Sequence, residues 1–334
     1  MGSIRTTYMG IELRNPVIAG ACKYTAHMDT IKKIEDSGAG AVVIASLFEE
    51  QIQLERLKLE EDLEQLKYRH PEMIEVFPDL KHAGPKEHLV WVKKAKESVN
   101  IPVIASLNAV NRDTWVEYAS ALEETGVDGL ELNFFATPSD FNRSASDIED
   151  EQIEIIREIR GKVHIPISVK LSTFYTNPLQ FIKRIDDEGV DGFVLFNRFF
   201  EPDIDIRSES SMLNFNLSGE NDHRLPLRFA GLLYGNIKAD ICSSTGIMQA
   251  DEVIKMILAG ATCIQCVTTL YKNGIKHLQT ILKDLEKWMD EKGYKDIQSF
   301  RGRLSKKNTK DPWMYTRAQY VRLLTSPEPV KKIL

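Results

Sequence analysis

Four times along the chain a helical stretch ends in glycine and an apolar run begins within three residues. The four are Gly38-Ala-Gly-Ala-Val-Val-Ile-Ala-Ser, Gly126-Val-Asp-Gly-Leu-Glu-Leu-Asn, Gly189-Val-Asp-Gly-Phe-Val-Leu-Phe-Asn and Gly260-Ala-Thr-Cys-Ile-Gln-Cys-Val-Thr. Between them lie Ile101-Pro-Val-Ile-Ala-Ser and Ile165-Pro-Ile-Ser-Val-Lys, and residues 16–21 and 240–243 supply two more. Short runs that are apolar in succession, not in alternation, suit strands covered on both faces by helices, as in a parallel sheet. Each run is followed by helical periodicity, and eight βα units close into a (β/α)8 TIM barrel, an α/β fold, more readily than they spread into an open sheet. Helices are expected near residues 28–37, 85–98, 112–125, 147–160, 178–188, 225–235 and 274–292, with another between Gly246 and Gly260. Residues 6–12 alternate weakly and read as an N-terminal hairpin closing the barrel floor.

The 334 residues fit one barrel domain, 1–334, with two long inserted βα loops at about 48–86 and 199–224 and a C-terminal extension at about 304–334. Residues 51–68 read as an amphipathic helix on the rim, on a partner chain or over the site as a lid. Residues 199–224 read as a polar loop over the mouth. A net charge of −6 argues against nucleic-acid binding driven by overall charge. No apolar run approaches the roughly 18 residues of a membrane span. The N-terminus lacks a signal-like apolar core, so a cytoplasmic protein is expected. Cys22, Cys242, Cys263 and Cys266 sit in or at the ends of apolar strands and read as buried free thiols. Cys263 and Cys266 have no second pair or neighbouring histidine, so no metal site is expected.

Catalytic groups of such barrels come from the C-terminal ends of the strands. The last two strands hand over to Ser243-Ser244-Thr245-Gly246 and Thr268-Thr269, small and hydroxyl-bearing residues beside helix N-termini that suit a phosphate. Lys170 lies inside the run Ile167-Ser-Val-Lys-Leu, where an ammonium needs an anionic partner: a ligand, or Glu131 of another strand. Asn133 and Asn197 end two strands with the same Gly-Val-Asp-Gly lead-in. Their carboxamides suit a ligand with amide or imide edges, such as an isoalloxazine ring or a pyrimidine, or else cap loops.

From Thr6 to Leu304 these residues resemble the dihydroorotate dehydrogenase family, in particular its soluble class. The resemblance rests on Asn15-Pro16, Glu131-Leu-Asn133, Val169-Lys170-Leu171, Asn197, Thr245-Gly246-Ile247, Leu258-Ala-Gly-Ala-Thr-Cys-Ile-Gln265 with Thr268, and the run from Glu291 to Phe300. It implies FMN at the barrel mouth, with Gly20, Ala21, Ser46, Asn133, Lys170, Asn197, Thr245, Gly246 and Thr268 around flavin or substrate. Lys170 would stand at the N1/O2 edge, where reduced flavin is anionic. The expected activity is an FMN-dependent oxidoreductase passing hydride between a small, planar, pyrimidine-like substrate and flavin N5, with Lys170, Asn133 and Thr137 as the catalytic set. Departures are equally specific. Ala136 stands where the family has a cysteine or serine base, so Thr137, Ser139 or another loop must supply one. Ala45 replaces a second flavin lysine, Val267 a phosphate-loop glycine, and His223-Arg224-Leu225-Pro226 a glycine pair. Other readings are a catalytically silent flavin-binding or partner-docking barrel and a non-redox phosphate-binding barrel enzyme. The expected partners are a small-molecule substrate, with a homodimer or an electron-transfer protein as further candidates.

Overall fold

The computed structural model describes residues 2–54, 85–134, 140–198, 202–212 and 217–325. β1 (Thr6–Tyr8) and β2 (Ile11–Leu13) form an antiparallel hairpin. Both turn residues, Met9 and Gly10, have positive φ, the mirror-image turn that matches strand twist. The barrel follows as β3 (Val17–Ala19), β4 (Ala41–Val43), β5 (Leu47–Phe48), β6 (Val103–Asn108), β7 (Gly129–Asn133), β8 (Ile167–Leu171) and β9 (Gly192–Leu195). After a second hairpin, β10 (Asp203–Asp205) and β11 (Ser210–Met212), come β12 (Asp240–Ser244) and β13 (Cys263–Cys266). The barrel pairings are all parallel, and β4–β6 closes the ring. β4 and β5 are two pieces of one stave, because β4 pairs with Val103 and Ile104 and β5 with Leu107 and Asn108 of the same β6. Eight staves result, as the eight apolar runs predicted.

The repeated glycines are helix terminators. Gly38, Gly126, Gly189 and Gly260 all have positive φ, a conformation that costs other residues about 1–2 kcal/mol. The aspartates of the two Gly-Val-Asp-Gly runs do matching jobs. Asp128 accepts the Val103 N–H at 2.7 Å and pairs with Lys96; Asp191 accepts the Ile167 N–H at 2.9 Å and pairs with Arg160. Each carboxylate thus ties a strand to the helix and strand before it.

The first hairpin plugs the floor. Tyr8, Met9 and Leu13 pack with Ile18, Val43, Ile104, Val194, Cys242 and Cys263 inside the barrel. A separate core lies between staves and helices, with Trp115, Phe181, Ile257 and Leu285 fully or almost fully buried. Cys242, Cys263 and Cys266 are buried free thiols, whereas Cys22 is only partly covered, contrary to the sequence reading. No helix among the described residues is long and apolar enough to cross a membrane.

The helix expected over 51–68 lies mostly outside the described residues; of it, residues 51–54 are helical. The insertion 199–224 is not merely a loop, since it holds the β10–β11 hairpin with Ile204 and Ile206 exposed. The stretch expected as one helix over 274–292 is preceded by a short helix, Thr268–Asn273, and itself begins at His277. The tail is anchored more firmly than its composition suggests. Tyr315 is buried, and its hydroxyl donates to the Leu304 carbonyl.

Two buried groups in the outer layer give stability predictions. Glu49, at the root of the first insertion, accepts from Gln53 (2.6 Å), Asn111 Nδ2 (2.8 Å), Val110 N–H (3.1 Å) and Thr114 (3.2 Å). Burial pushes its carboxyl up, but these hydrogen bonds outweigh that and hold it below its ordinary value. Glu49→Ala should cost about 2–3 kcal/mol at neutral pH in urea denaturation. With the folded pKa depressed, the protonation-linked part of that loss should shrink as pH falls through the ordinary glutamate range and below it. His88, in the helix Pro85–Ser98, has a buried Nε2 with no partner among the described residues. Burial lowers its pKa from 6.5 to about 4. The unfolded chain therefore binds the extra proton first, and stability should fall as pH drops through that window. The expected loss is on the order of 2–3 kcal/mol, and His88→Phe should remove this component of the slope in urea midpoints against pH.

Candidate functional site

A cavity of about 520 Å³ opens at the C-terminal ends of the staves, within the range of small-molecule sites. Its base is a polar layer built by residues that point inward from β6, β7, β8 and β13. The Lys170 ammonium lies 3.5 Å from Glu131 Oε1 and 3.2 Å from Gln265 Oε1. Gln265 Nε2 donates to the other Glu131 oxygen, and Ser106 donates to Oε1 at 3.4 Å. Ser46 Oγ meets Ser106 Oγ at 2.8 Å. Lys170 and Glu131 are 6% and 1% exposed, so this is a buried ion pair satisfied by neutral neighbours. The two readings of Lys170 are thus both present: it pairs with Glu131 and it lines the cavity.

The paired asparagines bond to one another. Asn197 Nδ2 donates to Asn133 Oδ1 at 2.7 Å, and Asn197 faces the cavity while Asn133 supports it from behind. Arg198 pairs with Asp222 at the rim. On the side of the last two staves, Ser244, Thr245, Gly246 and Thr268 line the cavity. Ser218, from the second insertion, bridges two of them. Its Oγ donates to Thr268 Oγ1 at 2.7 Å and accepts the Gly246 N–H at 3.2 Å, while Lys272 donates to its carbonyl at 2.9 Å. The His223 region was expected to take the place of a glycine pair here. Its backbone abuts Gly246, but the side chain that reaches the cluster is Ser218.

Of the residues singled out in the sequence, Ala21, Ser46, Lys170, Asn197, Thr245, Gly246 and Thr268 come together on this cavity. Gly20 lies just beneath, its N–H bonded to the Cys266 carbonyl. Thr137, with Ala136 and Ser139, falls outside the described residues.

The family model described as Dihydroorotate dehydrogenase matches residues 80–289, more than half of the chain. The chain belongs to the dihydroorotate dehydrogenase family. It is 28% identical to the "Dihydroorotate dehydrogenase B (NAD(+)), catalytic subunit" of Thermoplasma volcanium, over 90% of this chain and 98% of that protein. It is 24% identical to the protein of the same name from Methanocaldococcus jannaschii, over 86% of this chain and 94% of that one. It is also 28% identical to the "Dihydroorotate dehydrogenase A (fumarate)" of Lactobacillus helveticus, over 61% and 68% respectively.

In this member of the dihydroorotate dehydrogenase family, the sequence reading missed Ser218 and Arg198 as cavity residues, placed Cys22 in the strand end Ala19–Lys23 but read it as a buried thiol, and did not give Gln265 a role. Gln265 carried a usable signal, a carboxamide in the middle of an apolar strand, like Lys170 in its own. Ser218 carried none, because a polar insertion has no periodicity and its contact spans 50 residues.

Proposed function

We propose that the chain is a single-domain, FMN-dependent oxidoreductase that passes hydride between a small, planar, pyrimidine-like substrate and flavin N5. The observation that carries this reading is the pairing, in one cavity of the dihydroorotate dehydrogenase fold, of a buried lysine at the base with an amide-and-hydroxyl cluster on the last two staves. The cluster suits a phosphate monoester: the Gly246 N–H and the hydroxyls of Ser218 and Thr268 converge there. These donors already engage Ser218, so a phosphate would replace the bond between Gly246 N–H and Ser218 Oγ.

Bound FMN would supply two-electron chemistry at N5. Lys170 would place positive charge where negative charge develops on the ring, held in position by Glu131 and Gln265. Gly20, Ala21, Ser46 and Thr245 would line the ring and its side chain, and Asn197, fixed by Asn133, would offer an amide to ring or substrate. Thr137 remains a candidate for substrate contact.

An absorption spectrum of the purified protein tests the reading. Bands near roughly 375 and 450 nm, released by heat, are the expected result. A colourless protein that takes up no added FMN would refute it. The names of the relatives make NAD(+) and fumarate the first acceptors to try with a flavin-loaded sample.

A further inference from the structure

Cys22 is the thiol among the residues that line the cavity. It follows β3 and is partly exposed, while the other three cysteines are buried in the staves. The phenol of Tyr271 lines the cavity with it and accepts the N–H of the adjoining Lys23 at 2.9 Å. The Tyr24 and Tyr271 rings stand 5.1 Å apart, centroid to centroid, behind it. On the wall Lys170 is engaged with Glu131 and Gln265 and Arg198 with Asp222, while Lys23 and the Tyr271 phenol line the cavity next to Cys22. Ser244, 5% exposed, turns toward the same cavity a hydroxyl without a partner among the described residues, so the space is built to meet a ligand.

We propose that Cys22 exchanges the proton with the substrate, the task for which Ala136 has no group. The proposal rests on the flavin-oxidoreductase reading above. In the reductive direction Cys22 Sγ would give its proton to one carbon of a substrate C=C bond, and bound reduced flavin would supply the hydride for its neighbour. The two electrons come from the flavin, reduced beforehand by a dihydronicotinamide-type donor, and Cys22 regains its proton from solvent by way of Tyr271. In oxidation of the CH–CH form the Cys22 thiolate would take the proton, and bound oxidised flavin would supply the hydride acceptor. Burial pushes the thiol up, and the hydrogen bonds from Thr25, Tyr24 and Tyr271 offset only part of that. The groups facing it are Tyr24, Thr25 and Tyr271, with Lys23 adjoining in the chain. A protonated thiol favours the reductive direction at neutral pH.

The test uses full-length protein loaded with FMN and titrated upward from about pH 7. A thiolate against oxidised flavin gives a long-wavelength charge-transfer band. That band should appear in the parent, vanish in Cys22→Ser, and move to higher pH in Tyr271→Phe. Under the same alkaline conditions FMN should slow iodoacetamide labelling of Cys22 at least tenfold. Anaerobic bleaching of the flavin by dihydroorotate should slow about 100-fold or more in Cys22→Ala. Bound FMN with no band and unprotected labelling overturns the proposal and leaves the flavin reading standing, as does unimpaired bleaching in Cys22→Ala. If dihydroorotate does not bleach the parent, the band and the labelling decide. A protein that takes up no FMN overturns both readings.

Discussion

Lys170→Ala is expected to damage fold and chemistry together. The ammonium is the cation beside Glu131, and both groups are almost wholly buried in the layer beneath the cavity. Its removal leaves a buried carboxylate with Gln265 and Ser106 as its donors among the described residues. Breaking such a pair from one side costs about 3–5 kcal/mol, because the uncompensated charge stays behind. Adding Glu131→Gln should restore most of that loss, since the charge is then gone. Urea denaturation of the four proteins in this cycle measures both effects, and a Lys170→Ala cost below about 1 kcal/mol would mean that water relieves the layer. In FMN-loaded protein the same change should lower the flavin midpoint potential by about 40 mV, or ~2 kcal/mol for two electrons. An unchanged potential would remove Lys170 from its proposed place at the ring.

Gly246→Ala should be the second severe change, and Gly126→Ala its control. Both glycines have positive φ, +73° and +82°, so both substitutions incur the same backbone strain of about 1–2 kcal/mol. Their surroundings differ. A Cβ on Gly126 meets nothing within 4 Å, whereas one on Gly246 would lie 2.3 Å from the His223 nitrogen and 2.9 Å from the Asp222 carbonyl carbon. Backbone at that range must move, which shifts the start of the helix Arg224–Leu233 and, with it, the Asp222 partner of Arg198. Gly246→Ala is therefore expected to cost about 2 kcal/mol more than Gly126→Ala in thermal or urea unfolding, on the scale of an overpacked core. It should also weaken FMN retention at least tenfold, while Gly126→Ala retains FMN like the parent. Equal losses in the two variants would show that the approach of residues 222–223 to Gly246 does not constrain the site.

The barrel was legible in the sequence because its staves are covered on both faces, which leaves uninterrupted apolar runs such as Ala41–Val43 and Cys263–Cys266. The terminating glycines were legible for a related reason: a helix that must stop and turn into a strand selects the residue that accepts positive φ. The division of one stave into β4 and β5 left no such mark, because Ile44, Ala45 and Ser46 are as unremarkable in composition as a continuous strand. The β10–β11 hairpin was hidden too, since its short strands have exposed side chains and no buried face to impose a period. Within the site, Lys170 betrayed itself as a charge inside an apolar run. The contacts of Ser218 with Thr268, and of Tyr315 with the Leu304 carbonyl, depend on where distant segments come to lie, and no local pattern records that.

The first stave meets the last where β3 pairs with β13, with Val17 opposite Ile264 and Ala19 opposite Cys266. The separation of these partners, from Val17 to Ile264, is the longest of any stave contact, so their pairing carries the largest loop-closure cost and belongs late in assembly. The cavity straddles that join, taking Ala21 and Cys22 from one side and Gln265, Thr268 and Tyr271 from the other. An occupant that touches both sides acts as a clasp, and its affinity adds directly to the resistance of the ring to opening.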